Sequence, residues 1–98
     1  MRRDHAIAQL RDSAAQVKAY GVQALYLFGS TARDAGEETS DVDLFLDADP
    51  HKRFNAFDLV DVKALLERRL GARVDVTTRD GLHPRLRDRI ELEAIKVF

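Results

Sequence analysis

The chain has 98 residues, with 16 basic and 17 acidic side chains, a formal charge of −1 and no cysteine. This length suits one small domain, expected over residues 1–98, and is too short for two. The balanced charge predicts no direct binding to nucleic acid or to a membrane surface. The absence of cysteine excludes disulfides, thiolate metal sites and cysteine nucleophiles. Without an apolar run of roughly 20 residues or a signal-peptide core, the sequence predicts a cytoplasmic protein.

The first half of the chain predicts a helix followed by two strands. Apolar residues recur at helical spacing over residues 4–20, and Gly21 is placed to end that helix. The short apolar segment Val22–Phe28 predicts a buried strand. A helical turn and a polar loop are expected over residues 31–39. Apolar and acidic residues then alternate over residues 40–46, which predicts a second strand.

The second half predicts a long helix over residues 54–70, ended by Gly71, and a third strand over residues 73–77. Pro84 is suited to the first turn of a short helix. Residues 95–98 form either a last strand or a frayed tail. The order of elements predicts a single small α/β domain with a twisted mixed β-sheet and helices packed mainly on one face.

A phosphate-binding turn is predicted where the first strand ends. Gly29 lets the backbone turn tightly and approach a ligand closely. Ser30 adds a hydroxyl donor near a helix start, where free N–H groups favour phosphate. A glycine–serine pair alone indicates little, since the same pair also makes an ordinary turn between a strand and a helix.

Carboxylates follow this turn on two of the predicted strands. Asp41 and Asp43 are two positions apart, so their side chains point to the same face of the strand. Side by side they repel unless a hard cation lies between them, and Mg²⁺ with substrate phosphates is the natural partner. Asp75 on the third strand is a candidate third carboxylate for a two-metal site that performs phosphoryl or nucleotidyl transfer. The alternative for all three is an ordinary solvent-exposed strand face.

The combined pattern resembles a known family. The run Gly29-Ser30-x-Ala32-Arg33, six further residues and then Ser40-Asp41-x-Asp43-Leu44 is similar to the motif of the polymerase-beta-type nucleotidyltransferase superfamily. It most resembles the minimal nucleotidyltransferase domains, and Val74-Asp75-Val76 resembles their third-carboxylate strand. The similarity extends over nearly the whole chain. The two halves of the motif together are specific, whereas each half by itself is not.

The resemblance implies an activity and a partner. Several small members of this family, often called MntA, are antitoxins paired with HepT-type toxins of the HEPN fold. The resemblance therefore implies that this chain transfers AMP from ATP to a tyrosine of such a toxin, with which it forms a hetero-oligomer. By position, Gly29 and Ser30 would hold the triphosphate, Asp41 and Asp43 would bind both Mg²⁺ ions, and Asp75 would bind one.

Several alternatives remain open at this stage. Arg33 occupies the family's arginine position, where it either contacts phosphate or forms an ion pair with a nearby carboxylate. Arg85, Arg87 and Arg89 form either a solvated helix face or a surface for an acidic partner or RNA. At the level of function, the alternatives are an antitoxin that neutralises its toxin by binding alone and a nucleotidyltransferase that modifies a small-molecule hydroxyl.

Overall fold

A computed structural model describes residues 1–35 and 41–98. The elements in chain order are α1 (Arg3–Asp12), α2 (Ala14–Ala19), β1 (Val22–Phe28), α3 (Gly29–Ala32), β2 (Val42–Ala48), α4 (Ala56–Leu70), β3 (Val74–Thr78), α5 (Arg87–Glu93) and β4 (Ile95–Lys96), with a 3₁₀ turn at Arg79–Gly81. Within the described ranges, every helix is too short or too polar to cross a bilayer.

The strands form one mixed sheet in the order β3-β2-β1-β4. β1 is antiparallel to both β2 and β4, whereas β2 and β3 are parallel. The long helix α4 connects the parallel pair, because parallel strands need a crossover connection. The predicted α/β fold class with a mixed sheet is therefore confirmed.

One face of the sheet forms the hydrophobic core. Every second residue of a strand belongs to this core, since successive side chains in a strand point to opposite faces. The helices α1, α2 and α4 cover this face with apolar side chains that include Leu10, Val17 and Leu66. The strand side of the core consists of Leu25, Leu27, Val42, Leu44, Leu46, Val74 and Val76. The odd-numbered acidic residues of β2 and β3 therefore lie on the opposite face.

The first predicted helix is wrong in one respect, because residues 4–20 are divided at Ser13 into α1 and α2. The buried Ser13 hydroxyl donates a hydrogen bond to the Gln9 carbonyl oxygen (3.1 Å), and its backbone N–H bonds to Leu10 instead of Gln9. A serine side chain that competes for backbone carbonyls in this way interrupts the helical ladder.

Several predicted boundaries also differ from the structure. The long helix begins at Ala56, because the Asn55 side chain caps it and forms a capping box with Asp58. β2 runs on to Ala48, since pairing with β1 continues as far as Val22. Its predicted start at Ser40 lies outside the described residues.

The elements near the C-terminus also have boundaries that differ from the predicted ones. β3 covers Val74–Thr78 because its parallel pairing with β2 extends to Leu46 and Thr78. The last helix begins at Arg87 and not at Pro84. The Leu86 N–H bonds to the carbonyl of His83 (2.9 Å), which makes a tight turn before the helix. The final strand is present but covers only Ile95–Lys96.

Candidate active site

The turn after β1 brings its backbone against a carboxylate. Gly29 has φ +74°, in the left-handed region that favours glycine. A Cβ atom at this position would collide with Oδ2 of Asp43 and lie 3.3 Å from the Asp43 Cβ. The missing side chain therefore allows the Asp43 carboxylate to lie directly beside the start of α3.

The predicted carboxylates lie together on the face of the sheet opposite the core. Phe28 of β1 pairs with Asp43 of β2, and Asp43 pairs with Asp75 of β3, so the three form one row across the strands. Adjacent strands are about 4.8 Å apart, which makes Asp43 and Asp75 direct neighbours. Asp41 is exposed and lies just before β2.

Electrostatics single out Asp43 within this group. Partial burial raises the pKa of its carboxyl, and the negative charges of Asp75 and Asp41 raise the pKa further. The positive charge of Arg33 lowers the pKa but is the smallest of these influences. Asp43 is therefore a carboxylate whose charge is poorly compensated by its surroundings.

Arg33 forms an ion pair with a residue that the sequence analysis did not single out. Its Nη1 atom lies 3.2 Å from Oε1 and 3.3 Å from Oε2 of Glu93, at the end of α5. Glu93 Oε1 also accepts a hydrogen bond from the Gly29 backbone N–H (3.3 Å). Of the two alternatives for Arg33, the structure shows the ion pair, with Glu93 as the partner. Glu93 is sixty positions from Arg33, so no local pattern could have revealed it.

A cleft separates this turn from α5. It has a volume of about 240 Å³. Its lining residues come from both sides and are Phe28, Gly29, Arg33, Leu86, Arg89, Ile90 and Glu93. Arg89 and Glu93 are four positions apart, a spacing that places them on the same side of a helix. This spacing is the only sequence signal that could have identified them as a pair.

Two hydroxyls of the turn lack a hydrogen-bond partner within residues 1–35 and 41–98. Thr31 is buried, and its Oγ1 is one of these two unpartnered atoms. The Ser30 side chain makes no hydrogen bond to residues 1–35 or 41–98, while its carbonyl accepts from the Ala35 N–H (2.9 Å). Ser30 thus keeps a free donor beside Gly29.

The donor set suits a hard divalent cation. Partial burial raises the pKa of Asp43, and the charges of Asp75 and Asp41 are close enough to raise it further, so three carboxylates act on one another here. Mg²⁺ prefers such oxygen ligands and keeps positions for water or phosphate. Across the described part of the chain, no three His, Asp or Glu side chains are already arranged to hold a metal ion. The structure therefore supplies ligands of the right chemistry without a finished cage.

Comparison with known sequences identifies the family. A model of the nucleotidyltransferase domain matches residues 7–97. A Methanocaldococcus jannaschii protein provisionally named a protein adenylyltransferase is 44% identical over 79 residues, which cover 81% of this chain and 83% of that protein. Another such protein from the same organism is 32% identical over 79 residues, covering 80% and 79%.

Solved structures agree with the sequence matches. A protein provisionally described as a minimal nucleotidyltransferase superimposes with a TM-score of 0.82 and 33% identity, covering 97% of this chain and 95% of that one. A Shewanella oneidensis complex of a tri-AMPylated HEPN toxin with an MNT antitoxin matches the fold, with a TM-score of 0.63, 15% identity and coverage of 90% and 68%. The resemblance inferred from the sequence motif is confirmed, and the chain belongs to the nucleotidyltransferase domain family of enzymes.

Proposed function

We propose that this protein is an Mg²⁺-dependent adenylyltransferase that transfers AMP from ATP to a tyrosine of a HEPN-type toxin and acts as its antitoxin. The observation that supports this most directly is the contact between Gly29 and Asp43, with Asp75 beside them in the same row. The contact joins a phosphate-binding turn to a carboxylate pair, which is the arrangement that nucleotidyl transfer needs.

The turn holds the triphosphate in this proposal. The Gly29 N–H and the Ser30 hydroxyl are donors at the end of β1, and the short helix α3 follows directly. Arg33 lies on the same turn and carries a positive charge toward phosphate. The missing Cβ of Gly29 allows the Asp43 carboxylate to lie directly beside this turn, so that the phosphate donors and a candidate metal ligand are neighbours.

The carboxylates orient the reacting groups in this proposal. Asp41 and Asp43 would hold both metal ions and Asp75 one, and the bound metal would neutralise charge on the attacking and leaving oxygens. The acceptor hydroxyl attacks the α-phosphorus of ATP, the bond from that phosphorus to the bridging oxygen breaks, and pyrophosphate leaves. Asp75 lies at the exposed side of the row and accepts the proton of the attacking hydroxyl.

The acceptor is assigned to a partner protein because of the relatives. The matched M. jannaschii proteins are provisionally named protein adenylyltransferases. A structural relative is an MNT antitoxin in complex with an AMPylated HEPN toxin. These names support a protein acceptor over a small molecule for this chain.

The test searches the genes beside this chain's gene for one that encodes a HEPN-type protein, and it measures AMP transfer to that protein by mass spectrometry after incubation with ATP and Mg²⁺. We expect AMP on a tyrosine, and we expect the double variant D41N/D43N to abolish it. The same double variant should fail to relieve toxicity in cells. Neutralisation that persists without transfer would show instead that the protein acts by binding, and transfer only to small-molecule hydroxyls would contradict the protein acceptor.

A further inference from the structure

Two arginines near the C-terminus differ in their surroundings although they are close in sequence. Arg85 and Arg89 are both exposed, and neither forms an ion pair with residues 1–35 or 41–98. Only Arg89 lines the cleft beside Gly29 and Arg33. By contrast, Arg87 lies between them and is held by Glu91 (2.8 Å) and Asp80 (3.2 Å). Arg89 is thus a cation at the candidate site whose charge is available to a ligand.

The same cleft contains an anion at the position expected for phosphate. The Glu93 carboxylate accepts from the Gly29 N–H and pairs with the Arg33 guanidinium. A backbone N–H together with a guanidinium is also the donor set that binds a phosphate oxygen. Glu93 therefore occupies donors that a triphosphate would use.

From this geometry we propose that the cleft between α3 and α5 is the subsite for the terminal phosphates of the nucleotide. Arg89 binds those phosphates, and Glu93 is a positioning residue that the phosphates displace from Gly29 and Arg33. The inference rests on the proposed nucleotide-binding function and adds α5 to the site. In the nucleotide-free protein, Glu93 keeps Arg33 and the turn in place.

The size and charge of the cleft agree with this role. A volume of about 240 Å³ accommodates phosphate groups beside the turn. Phe28, Leu86 and Ile90 contribute apolar side chains to the walls of the cleft. Among the residues that line the cleft, Arg33 and Arg89 are positively charged and Glu93 is negatively charged, so two cations are available there to bind phosphate oxygens.

The experiment compares binding of ATP, AMP and inorganic tripolyphosphate to the wild-type protein and to three variants, by calorimetry with Mg²⁺ present. R89A should lower the affinity for ATP and for tripolyphosphate about tenfold, which is the loss expected when one charge-assisted contact is removed. Its affinity for AMP should stay unchanged, because AMP lacks the terminal phosphates. R85A is the matched control and should bind all three ligands as the wild type does.

The third variant tests the displacement of Glu93. E93Q keeps the size of the side chain and a carbonyl acceptor for the Gly29 N–H but removes the charge that competes with phosphate. We expect it to bind ATP and tripolyphosphate several-fold more tightly than the wild type, with AMP unchanged. Circular dichroism and thermal unfolding confirm that each variant is folded.

The outcomes separate this inference from the function on which it rests. If the wild type binds ATP and transfers AMP while R89A matches R85A, the phosphate subsite is wrong and the proposed function stands. An equal loss of ATP and AMP binding in R89A also overturns it, as does weaker ATP binding by E93Q. A wild-type protein that neither binds ATP nor transfers AMP overturns both.

Discussion

Asp43 and Asp47 of β2 lie on the same face of the sheet, four residues apart. The charge of Asp47 is compensated by an ion pair, whereas the charge of Asp43 is not, as far as the described residues show. Asp47 accepts two hydrogen bonds from Arg79, at 2.8 Å from Nε and 2.9 Å from Nη2. The guanidinium also pairs with Glu91 (3.1 Å) and lies 4.9 Å from the ring centroids of both Tyr26 and Phe45. The hydrogen bond to Asp47 is the largest influence that raises the pKa of Arg79.

Asp43 has no such partner among the residues that the structure describes. Its neighbours are Asp75 and Asp41, and the one cation that acts on it, Arg33, is already paired with Glu93. One end of the strand therefore has a satisfied ion pair that holds the fold together. The other end has repelling carboxylates, which reduce stability and leave the site ready for a cation.

The largest expected effect comes from G29A, which alters the Asp43 end alone. The new Cβ would collide with the Asp43 carboxylate, and alanine is also strained at φ +74°. We expect a loss of roughly 2–4 kcal/mol in the free energy of unfolding and a fall of about 100-fold in AMP transfer by the folded fraction. Urea unfolding and transfer kinetics measure the two effects.

Gly71 provides the matched control for this substitution. It too has a positive φ, +62°, but a Cβ there would meet no atom within 4 Å. G71A should therefore cost only the backbone strain, about 1 kcal/mol, and leave transfer by the folded protein unchanged. Equal losses of transfer in G29A and G71A would show that the contact with Asp43 is unimportant.

The second effect concerns stability at the other end of the strand. D47N keeps the shape of the side chain but presents an amide N–H₂ group or a neutral oxygen to the Arg79 fork. We expect the variant to lose about 1–2 kcal/mol of unfolding free energy, or about 5–10 °C in Tm. Transfer by the folded protein should be unchanged.

D61N is the control for D47N. Asp61 is exposed on α4 and makes no ion pair within the described ranges. Its Tm should remain within about 1 °C of the wild-type value. If D47N and D61N have the same Tm, the pair with Arg79 contributes nothing to stability.

The smallest expected effect is a gain in stability, whereas G29A and D47N reduce it. In the absence of divalent metal, D43N removes a charge that burial and repulsion disfavour, so we expect Tm to rise by about 2–4 °C at pH 7. Because the pKa of Asp43 is raised above its ordinary 3.8, the native protein loses stability as pH rises through that raised value. Added Mg²⁺ should stabilise the wild type more than D43N.

Differential scanning calorimetry at several pH values checks this prediction. The difference in Tm between D43N and the wild type should shrink as pH falls through the raised native pKa of Asp43. It should approach zero below the ordinary value of 3.8, where the carboxyl is protonated in both the native and the unfolded protein. A D43N variant that is less stable than the wild type at pH 7 without metal would contradict the idea that Asp43 is electrostatically frustrated.

Much of this molecule was predictable from local patterns. A short continuous apolar segment identified β1. Apolar residues that alternate with acidic ones identified β2 and β3, because a strand buried on one face has a period of two. Gly29 and the spacing of Asp41 and Asp43 identified the candidate site, because the residue after a strand and the parity along a strand are local geometric properties. The single prediction that failed within a helix, at Ser13, depended on one hydroxyl that competes for a backbone carbonyl.

The sequence by itself determined which residues are candidates for the chemistry, since the glycine turn and the acidic strand are continuous segments with fixed local geometry. Only the tertiary structure decided which charges are neutralised. The sheet order places Asp75 beside Asp43, the turn after β3 directs Arg79 to Asp47, and α5 brings Glu93 to Arg33. These pairs join residues 32 and 60 positions apart, and Coulomb interactions depend on distance in space and not along the chain.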